Sequence, residues 1–155
     1  MGIAGSYCDA AVFQKYFGIR PEWVDMTEIL RRITLEIYDH EEYDRALAWV
    51  RANCKEGFDC NAGKNLPEVI TRSKVVPAHK DWEFITKMTM VMRDILYGNP
   101  KLDEMGWHEE ALGKNAVAGG FQGQRNWTDW LPNGDFTEAI LASTFDWNGP
   151  KQPTP

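Results

Sequence analysis

The stretch with the most evident capacity for chemistry is Asn115–Gly134, NAVAGGFQGQRNWTDWLPNG. Its glutamine, arginine, asparagine and aspartate side chains can together donate and accept hydrogen bonds, and glycines and two tryptophans lie between them. Asn115–Ala118 is predicted to be a short buried strand. Gly119 and Gly120 then permit a sharp turn, because residues without Cβ accept positive φ and close approach. Gln122–Trp130, predicted to be a short helix or turn, would follow at the carboxyl edge of a sheet, where α/β folds bind ligands.

Part of this stretch is similar to a dinucleotide-binding motif. Ala118-x-Gly120-x-x-Gly123 is close to the G-x-G-x-x-G fingerprint and follows the predicted strand. The fingerprint also requires an acidic residue at the end of a following strand, about twenty residues on, whereas Thr137–Thr144 is predicted to be helix or loop. The glycines therefore predict a turn rather than a phosphate cradle.

Helical periodicity dominates the rest of the chain. The predicted helical segments are Asp9–Phe17, Met26–Ile37, Asp39–Gly57, Leu66–Lys74, Pro77–Gly98, Asn99–Gly113 and Asp135–Leu141. Trp23–Asp25 is predicted to be a strand. The methionines Met88, Met90 and Met92 are expected to fill the core.

Two arginines, Arg31 and Arg32, lie off the apolar stripe of their helix. A solvated helix face is the expected explanation, and contact with a neighbouring domain or subunit is the alternative.

The predicted fold class is α/β, a helix-rich three-layer (αβα, Rossmann-like) domain with a small sheet. The sheet is expected to be incomplete in this chain, with two further strands just outside its ends. Residues 1–149 are predicted to form a single domain, and 150–155 a proline-rich tail. Asn148–Pro155 is expected to fray, because three of its residues are prolines.

Composition excludes several functional classes. The chain has 155 residues, a net charge of −6, a pI of about 5.1 and a mean hydropathy of −0.47. This acidity argues against a nucleic-acid partner, and no apolar run approaches the ~20 residues of a membrane span. The amino terminus has no signal-peptide pattern. The chain has an odd number of cysteines, Cys8, Cys54 and Cys60, and no two of them have C-x-x-C spacing. This pattern favours a reduced, cytoplasmic protein.

Neither a metal site nor a catalytic set can be assembled from local spacing. His40, His79 and His108 are far apart in the sequence, and no Ser/His/Asp order is recognisable. The residues alone therefore predict one domain with one ligand-binding loop.

Longer motifs resemble the L-fucose isomerase family. The segments that match, in order, are MGIAGS (Met1–Ser6), VDMTEILRRI (Val24–Ile33), ALAWV (Ala46–Val50) and GGFQGQRNWTDWLPNGDFTEAILASTFDWNG (Gly119–Gly149). The similarity weakens between about Cys54 and Lys80. It implies that this chain is most of the second of three domains, that Met1 is an internal methionine, and that the family's metal-binding glutamate, aspartate and histidine lie beyond Pro155.

The resemblance implies an aldose–ketose isomerase that interconverts L-fucose and L-fuculose, and D-arabinose and D-ribulose. Mn²⁺ would be bound by residues outside this chain, and carboxylates outside it would move the proton between C1 and C2. The isolated chain is expected to be inactive. The expected partners are the remaining domains of the parent chain, within a cytoplasmic homohexamer.

The resemblance also assigns residues to the substrate pocket. Gln122 matches a glutamine that hydrogen-bonds sugar hydroxyls, and Met1 matches a methionine in the pocket wall. Gln124, Arg125 and Trp127 are expected to lie beside the substrate site, with a packed turn as the alternative. The competing functional classes are a non-catalytic assembly domain and a free-standing sugar-binding module.

Overall fold

The computed structural model describes residues 10–55, 80–121, 132 and 134–151. These residues form seven helices and one two-stranded antiparallel sheet. In chain order the elements are α1 (Ala10–Phe17), α2 (Met26–Thr34), α3 (His40–Asn53), α4 (Asp81–Tyr97), α5 (Pro100–Glu104), α6 (His108–Ala111), α7 (Asp135–Ala142), β1 (Phe145–Asp146) and β2 (Gly149–Pro150). The helix-rich character is confirmed, whereas the small sheet that is present is formed by β1 and β2 and by neither of the predicted strands. The predicted helix Leu66–Lys74 lies outside the described residues.

Helix α4 is the centre of the packed core, with α2, α3 and α7 against it. Met88 and Met90 are fully buried, as is Val91 beside them, so two of the three methionines fill the core as predicted. Met92 is half-buried. Apolar side chains lie on several sides of α4, as is typical of a buried helix. Each helix packed against it needs an apolar stripe on one side only.

Several helix ends follow local rules. Asp25 and Asp39 cap α2 and α3, accepting hydrogen bonds from Thr27 N (2.8 Å) and Glu42 N (3.1 Å). Gly98 ends α4 with a φ of +82°, a conformation that favours glycine. None of the described helices combines the length and apolar character that a membrane crossing needs.

The predicted single helix Asn99–Gly113 is wrong. Asn99 does cap a helix there, accepting from Lys101 N at 3.0 Å. Gly106, at a φ of +90°, then breaks the segment into α5 and α6. A left-handed residue in the middle of the segment ends one helix before the next begins.

Both predicted strands are also wrong. Trp23 is 71% exposed, and Asp25, at the end of the first predicted strand, serves as a helix cap instead. Asn115 has a φ of +49°, and Val117 is 77% exposed. The backbone near Asn115 bonds to the end of α4, because Ala116 N donates to Leu96 O at 3.0 Å, and so forms no strand pair there.

Gly98 and Gly113 are in close contact, and this contact holds the segment after α6 against the end of α4. A Cβ on Gly113 would lie 2.1 Å from Gly98 N and 2.2 Å from Tyr97 C. These are backbone atoms, which cannot rotate away as a side chain does. Lys114 N donates to Ile95 O at 2.9 Å immediately after the contact.

We therefore expect Gly113→Ala to lower the free energy of unfolding by about 1–3 kcal/mol, the usual cost of overpacking that forces backbone shifts. Urea unfolding followed by circular dichroism measures this. Leu112→Ala is the control, because Leu112 is 73% exposed and surface changes stay within about 0.5 kcal/mol. Equal urea concentrations at the unfolding midpoint for Gly113→Ala and the unsubstituted chain would show that the contact between Gly98 and Gly113 is not tight.

A hairpin closes the described part of the chain. Phe145 pairs with Pro150 and Asp146 with Gly149. Lys151 N donates to Thr144 O at 2.9 Å, and Lys151 Nζ donates to Leu141 O, also at 2.9 Å, at the end of α7. The predicted fraying is therefore wrong for residues 148–151, because a basic side chain satisfies terminal carbonyls of a helix.

Arg32 is buried rather than solvated. It is 8% exposed, its Nε donates to Glu28 at 2.8 Å, and its Nη1 donates to the carbonyl of Glu110 at 3.1 Å. Arg31 is more exposed and pairs with Glu28 and with the Glu110 carboxylate. The predicted solvated face is wrong for Arg32, because the two arginines together join α2 to α6.

A second ionic cluster, here called the Glu42 network, joins α3, α4 and the hairpin. Arg93 donates to both carboxylate oxygens of Glu42, at 2.6 and 2.8 Å, and to Asp94 at 3.1 Å. Trp147 Nε1 and Asn148 Nδ2 each donate to Glu42 at 3.1 Å. The Glu42 carboxylate therefore links its own helix to α4 and to the turn of the hairpin.

Candidate functional site

A shallow cleft of about 260 Å³ lies between α4, α7 and the segment Val117–Phe121. Its lining side chains are mainly apolar and come from the two helices, and Glu138 adds a carboxylate. Small-molecule sites usually combine a mainly apolar lining with a few placed polar groups, and polar atoms contribute nearly as much of the surface of this cleft as apolar atoms do. The cleft is also where the described chain leads up to Gln122.

Two glycines bring this segment close to the helices. A Cβ on Gly119 would lie 2.7 Å from Leu96 Cδ2, and one on Gly120 would lie 3.0 Å from Glu138 Oε1. Neither glycine has a positive φ. The close approach predicted for them is confirmed, whereas the left-handed turn is not, because the backbone here needs space and no unusual conformation.

Glu138 holds the end of the segment. Its Oε1 accepts a hydrogen bond from the backbone N–H of Phe121 at 2.6 Å. The Phe121 ring lies against Gly134, where an added Cβ would meet Phe121 Cδ2 at 2.5 Å. Phe121 is thus held through its backbone by α7 and through its ring by the residue that precedes α7.

Helix α7 is itself fixed to the core. Thr137 Oγ1 and Thr89 Oγ1 are hydrogen-bonded at 2.9 Å, and both residues are fully buried. Thr89 also bonds to Ile85 O at 2.8 Å within α4. A satisfied buried pair of hydroxyls sets how the two helices meet, because an unpaired one would be costly.

The side chains predicted to contact or adjoin the substrate lie outside the described residues. They are Met1, Gln122, Gln124, Arg125 and Trp127. The predicted helix or turn Gln122–Trp130 lies there too. Their roles remain predictions. The structure describes the segment that leads to Gln122 only as far as Phe121.

No local pattern in the sequence identifies Glu138 as a residue that holds the segment leading to Gln122. Asp135 and Glu138 predict a helix start, and α7 does begin at Asp135. The carboxylate of Glu138, however, bonds to a backbone group 17 positions earlier in the chain. The glycines Gly119, Gly120 and Gly134 are a signal of close packing there, but they do not identify the partner.

Within the described part of the chain, no three histidine, cysteine, aspartate or glutamate side chains lie close enough together to hold a metal ion. His108 forms an exposed pair with Asp103, at 2.6 Å, and His40 contacts Glu36 O at 2.9 Å. Burial raises the pKa of the Cys54 thiol, which disfavours the reactive thiolate. These groups have the character of structural or surface side chains.

Comparison with known proteins decides the family. The family model described as "L-fucose isomerase, second N-terminal domain" matches residues 1–155. This chain belongs to the L-fucose isomerase family. The resemblance noted in the sequence is confirmed, including its assignment to the second domain.

Curated relatives within the L-fucose isomerase family are closely similar. The chain is 66% identical over 154 residues to the L-fucose isomerase of Clostridium perfringens, covering 99% of this chain and 26% of that protein. It is 61% identical over 151 residues to that of Phocaeicola vulgatus, covering 96% and 25%. For Vibrio vulnificus the identity is 57% over 155 residues, covering 99% and 25%. The chain therefore spans about a quarter of the length of these L-fucose isomerases.

Proposed function

We propose that this chain is the second domain of an enzyme that interconverts L-fucose and L-fuculose, with D-arabinose and D-ribulose as a related pair. The observation that carries the proposal is the identity of 66% to a curated L-fucose isomerase over 99% of this chain. The cleft beside Gly119–Phe121 supports it, because the segment leading to the predicted sugar-binding Gln122 is anchored to two packed helices.

The role proposed for the domain is to bind and orient the sugar. The Gln122 amide can donate and accept, so it can pair with a sugar hydroxyl in either orientation. Met1 is proposed to contribute to the pocket wall, with Gln124, Arg125 and Trp127 beside it. Holding the hydroxyls fixed reduces the entropy that the proton transfer between C1 and C2 would otherwise cost.

The described residues do not fit a metal site. The Mn²⁺ that the resemblance implies is therefore proposed to bind residues outside this chain, together with the carboxylates that move the proton.

The rest of the parent chain is proposed to complete the fold. Its strands would extend the small sheet into a three-layer arrangement, and the enzyme is proposed to be a cytoplasmic homohexamer. Helix α1 has no buried residue, and its Tyr16 and Phe17 are 68% and 67% exposed. An exposed apolar helix of this kind supports a covering domain or subunit.

Substitution of Gln122 tests the proposed sugar contact. In the full-length parent enzyme, Gln122→Ala should lower kcat/KM for L-fucose by roughly 5- to 150-fold, which corresponds to about 1–3 kcal/mol for one unpaired hydroxyl. Metal affinity should change far less, because the charged ligands are proposed to lie elsewhere. Steady-state kinetics and the melting temperature are measured together.

The control is Asn53→Ala, which removes another amide, at the exposed end of α3, where it donates to Trp49 O at 2.8 Å. It should leave kcat/KM unchanged. Wild-type kinetics for Gln122→Ala would remove Gln122 from the site, and a collapsed melting temperature with normal kinetics per folded molecule would make it a packing residue.

A further inference from the structure

We propose that Glu138 is a positioning residue for the substrate site. Its carboxylate fixes the backbone at Phe121, and thereby the start of the segment that continues into Gln122. This inference rests on the proposed function. It concerns a residue that does not itself contact the sugar.

The bond between Glu138 and Phe121 is short and charge-assisted. Oε1 of Glu138 lies 2.6 Å from Phe121 N, and a hydrogen bond from a backbone N–H to a carboxylate is stronger than one between neutral groups. Gly120 allows this approach, because a Cβ there would lie 3.0 Å from the same oxygen. The Glu138 side chain therefore packs closely against the backbone at Gly120 and Phe121, unlike a carboxylate that extends freely into solvent.

The support behind Glu138 is rigid. The preceding residue, Thr137, is fully buried and bonded to Thr89 of α4 at 2.9 Å, and Ile140 of the same helix is 6% exposed. The amide of Glu138 donates to Gly134 O at 3.1 Å within the first turn of α7. A rotation of α7 that released Phe121 would break the buried threonine pair.

The carboxylate has no capping role that would explain its position. Gly134, the residue that precedes α7, has no side chain with which to form a reciprocal capping box. Glu138 instead bonds to a segment 17 positions earlier. Its removal would leave the Phe121 backbone without this anchor, and a displacement of about 1 Å at a substrate group can cost roughly 100-fold in rate.

The test uses the full-length parent enzyme with Glu138→Ala and Glu138→Gln. We expect Glu138→Ala to lower kcat/KM for L-fucose about tenfold, and Glu138→Gln to retain at least about half of the wild-type value, because its amide oxygen accepts the same bond. Glu41→Ala is the matched control, since Glu41 is an exposed acid in the first turn of α3. It should match wild type.

A double-mutant cycle identifies the route of the effect. If Glu138 acts through Gln122, Glu138→Ala should cost less than about twofold in a Gln122→Ala background, because coupled residues are not additive. Hydrogen exchange of the peptide containing Phe121 adds a readout independent of activity. The exchange should be faster in Glu138→Ala than in wild type or Glu138→Gln.

Several results would overturn the inference. Wild-type kcat/KM in Glu138→Ala removes the positioning role, as does a lowered melting temperature with unchanged kinetics per folded molecule. A full tenfold loss in the Gln122→Ala background shows that Glu138 does not act through that residue. If Glu138→Ala does not fold, Glu138→Asp, whose side chain is one methylene shorter, replaces it with the same expectations. A parent enzyme inactive on L-fucose overturns the proposed function instead, while the exchange experiment still decides whether Glu138 anchors Phe121.

Discussion

The isolated 155-residue chain should form no measurable ketose from L-fucose in the presence of Mn²⁺, whereas the full-length parent enzyme should. The chain spans about a quarter of its curated relatives, and the carboxylates that would move the proton are proposed to lie in the remainder. Enzymes accelerate their reactions by at least about 10⁶-fold, and a domain that only binds and orients cannot supply that factor. The expected loss therefore reaches the detection limit of a ketose assay.

Two titrations complete this experiment. Calorimetry of the isolated chain with Mn²⁺ should show no micromolar site, because the described residues contain no group of three metal-ligating side chains. Titration with L-fucose should show no saturable binding, and saturation would favour the sugar-binding module instead. Ketose production by the isolated chain would refute the division of labour that we propose. An inactive parent enzyme would favour the non-catalytic assembly domain.

Much of the helical fold could be predicted because its signals are local. Asp39 caps α3 and Gly98 ends α4, and both functions depend on residues within one turn. The methionines of α4 are expected to fill the core because of their residue type, and Met88 and Met90 are fully buried. Such rules need no knowledge of what lies elsewhere in the chain.

The predictions that failed depended on distant partners. Arg32 appears solvated on a helical wheel, but its partner Glu110 is 78 positions away. Asn115–Ala118 has the composition of a strand, but the backbone there bonds to the end of α4. A strand requires a neighbour to pair with, and no local pattern shows whether that neighbour is present.

The candidate site is divided in the same way. The glycines at 119 and 120 predicted a close approach, which is found against Leu96 and Glu138. The identity of those partners could not be predicted, because α4 and α7 meet the segment only through tertiary packing. Gln122 was assigned from family motifs, and that assignment awaits the kinetic test.

Substitution of Arg93, the cation of the Glu42 network, should cause the largest loss of stability among the substitutions proposed for this chain. Arg93 and Glu42 have side chains that are 22% and 13% exposed, and Asp94 is 1% exposed. Arg93→Met would leave both carboxylates without their cation. Removing one partner of a buried ion pair costs about 3–5 kcal/mol, a large fraction of the 5–15 kcal/mol typical of a whole domain.

The expected result is a decrease in melting temperature of roughly 6–20 °C at pH 7, at about 2–4 °C per kcal/mol for a chain of this size. Arg51→Met is the matched control. Arg51 pairs with Glu83 at 3.0 Å, but its side chain is 56% exposed, so the pair contributes less than about 1 kcal/mol. Comparable shifts in the two variants would show that burial of the Glu42 network contributes nothing.

The pH dependence separates the ionic effect from simple loss of packing. Burial raises the pKa of Glu42, but Arg93, Trp147 and Asn148 outweigh it and lower the pKa to about 2. Because this is below the usual value of 4.5, Glu42 stabilises the fold above about pH 4.5, and this contribution is lost as the pH falls towards 2. Burial raises the pKa of Asp94 despite Arg93 and Asn99, so its contribution has the opposite sign and is lost as the pH rises.

Arg93→Met should therefore differ most from the unsubstituted chain near neutral pH and approach it in acid. Without the arginine, ionised Glu42 is no longer favoured, and Asp94 becomes more costly to ionise. Protonation at low pH removes both penalties, whereas a cavity left by lost packing would persist at every pH. Urea unfolding between pH 2.5 and 7 measures the difference, and a constant gap across that range would assign the effect of Arg93 to its hydrocarbon stem rather than to its charge.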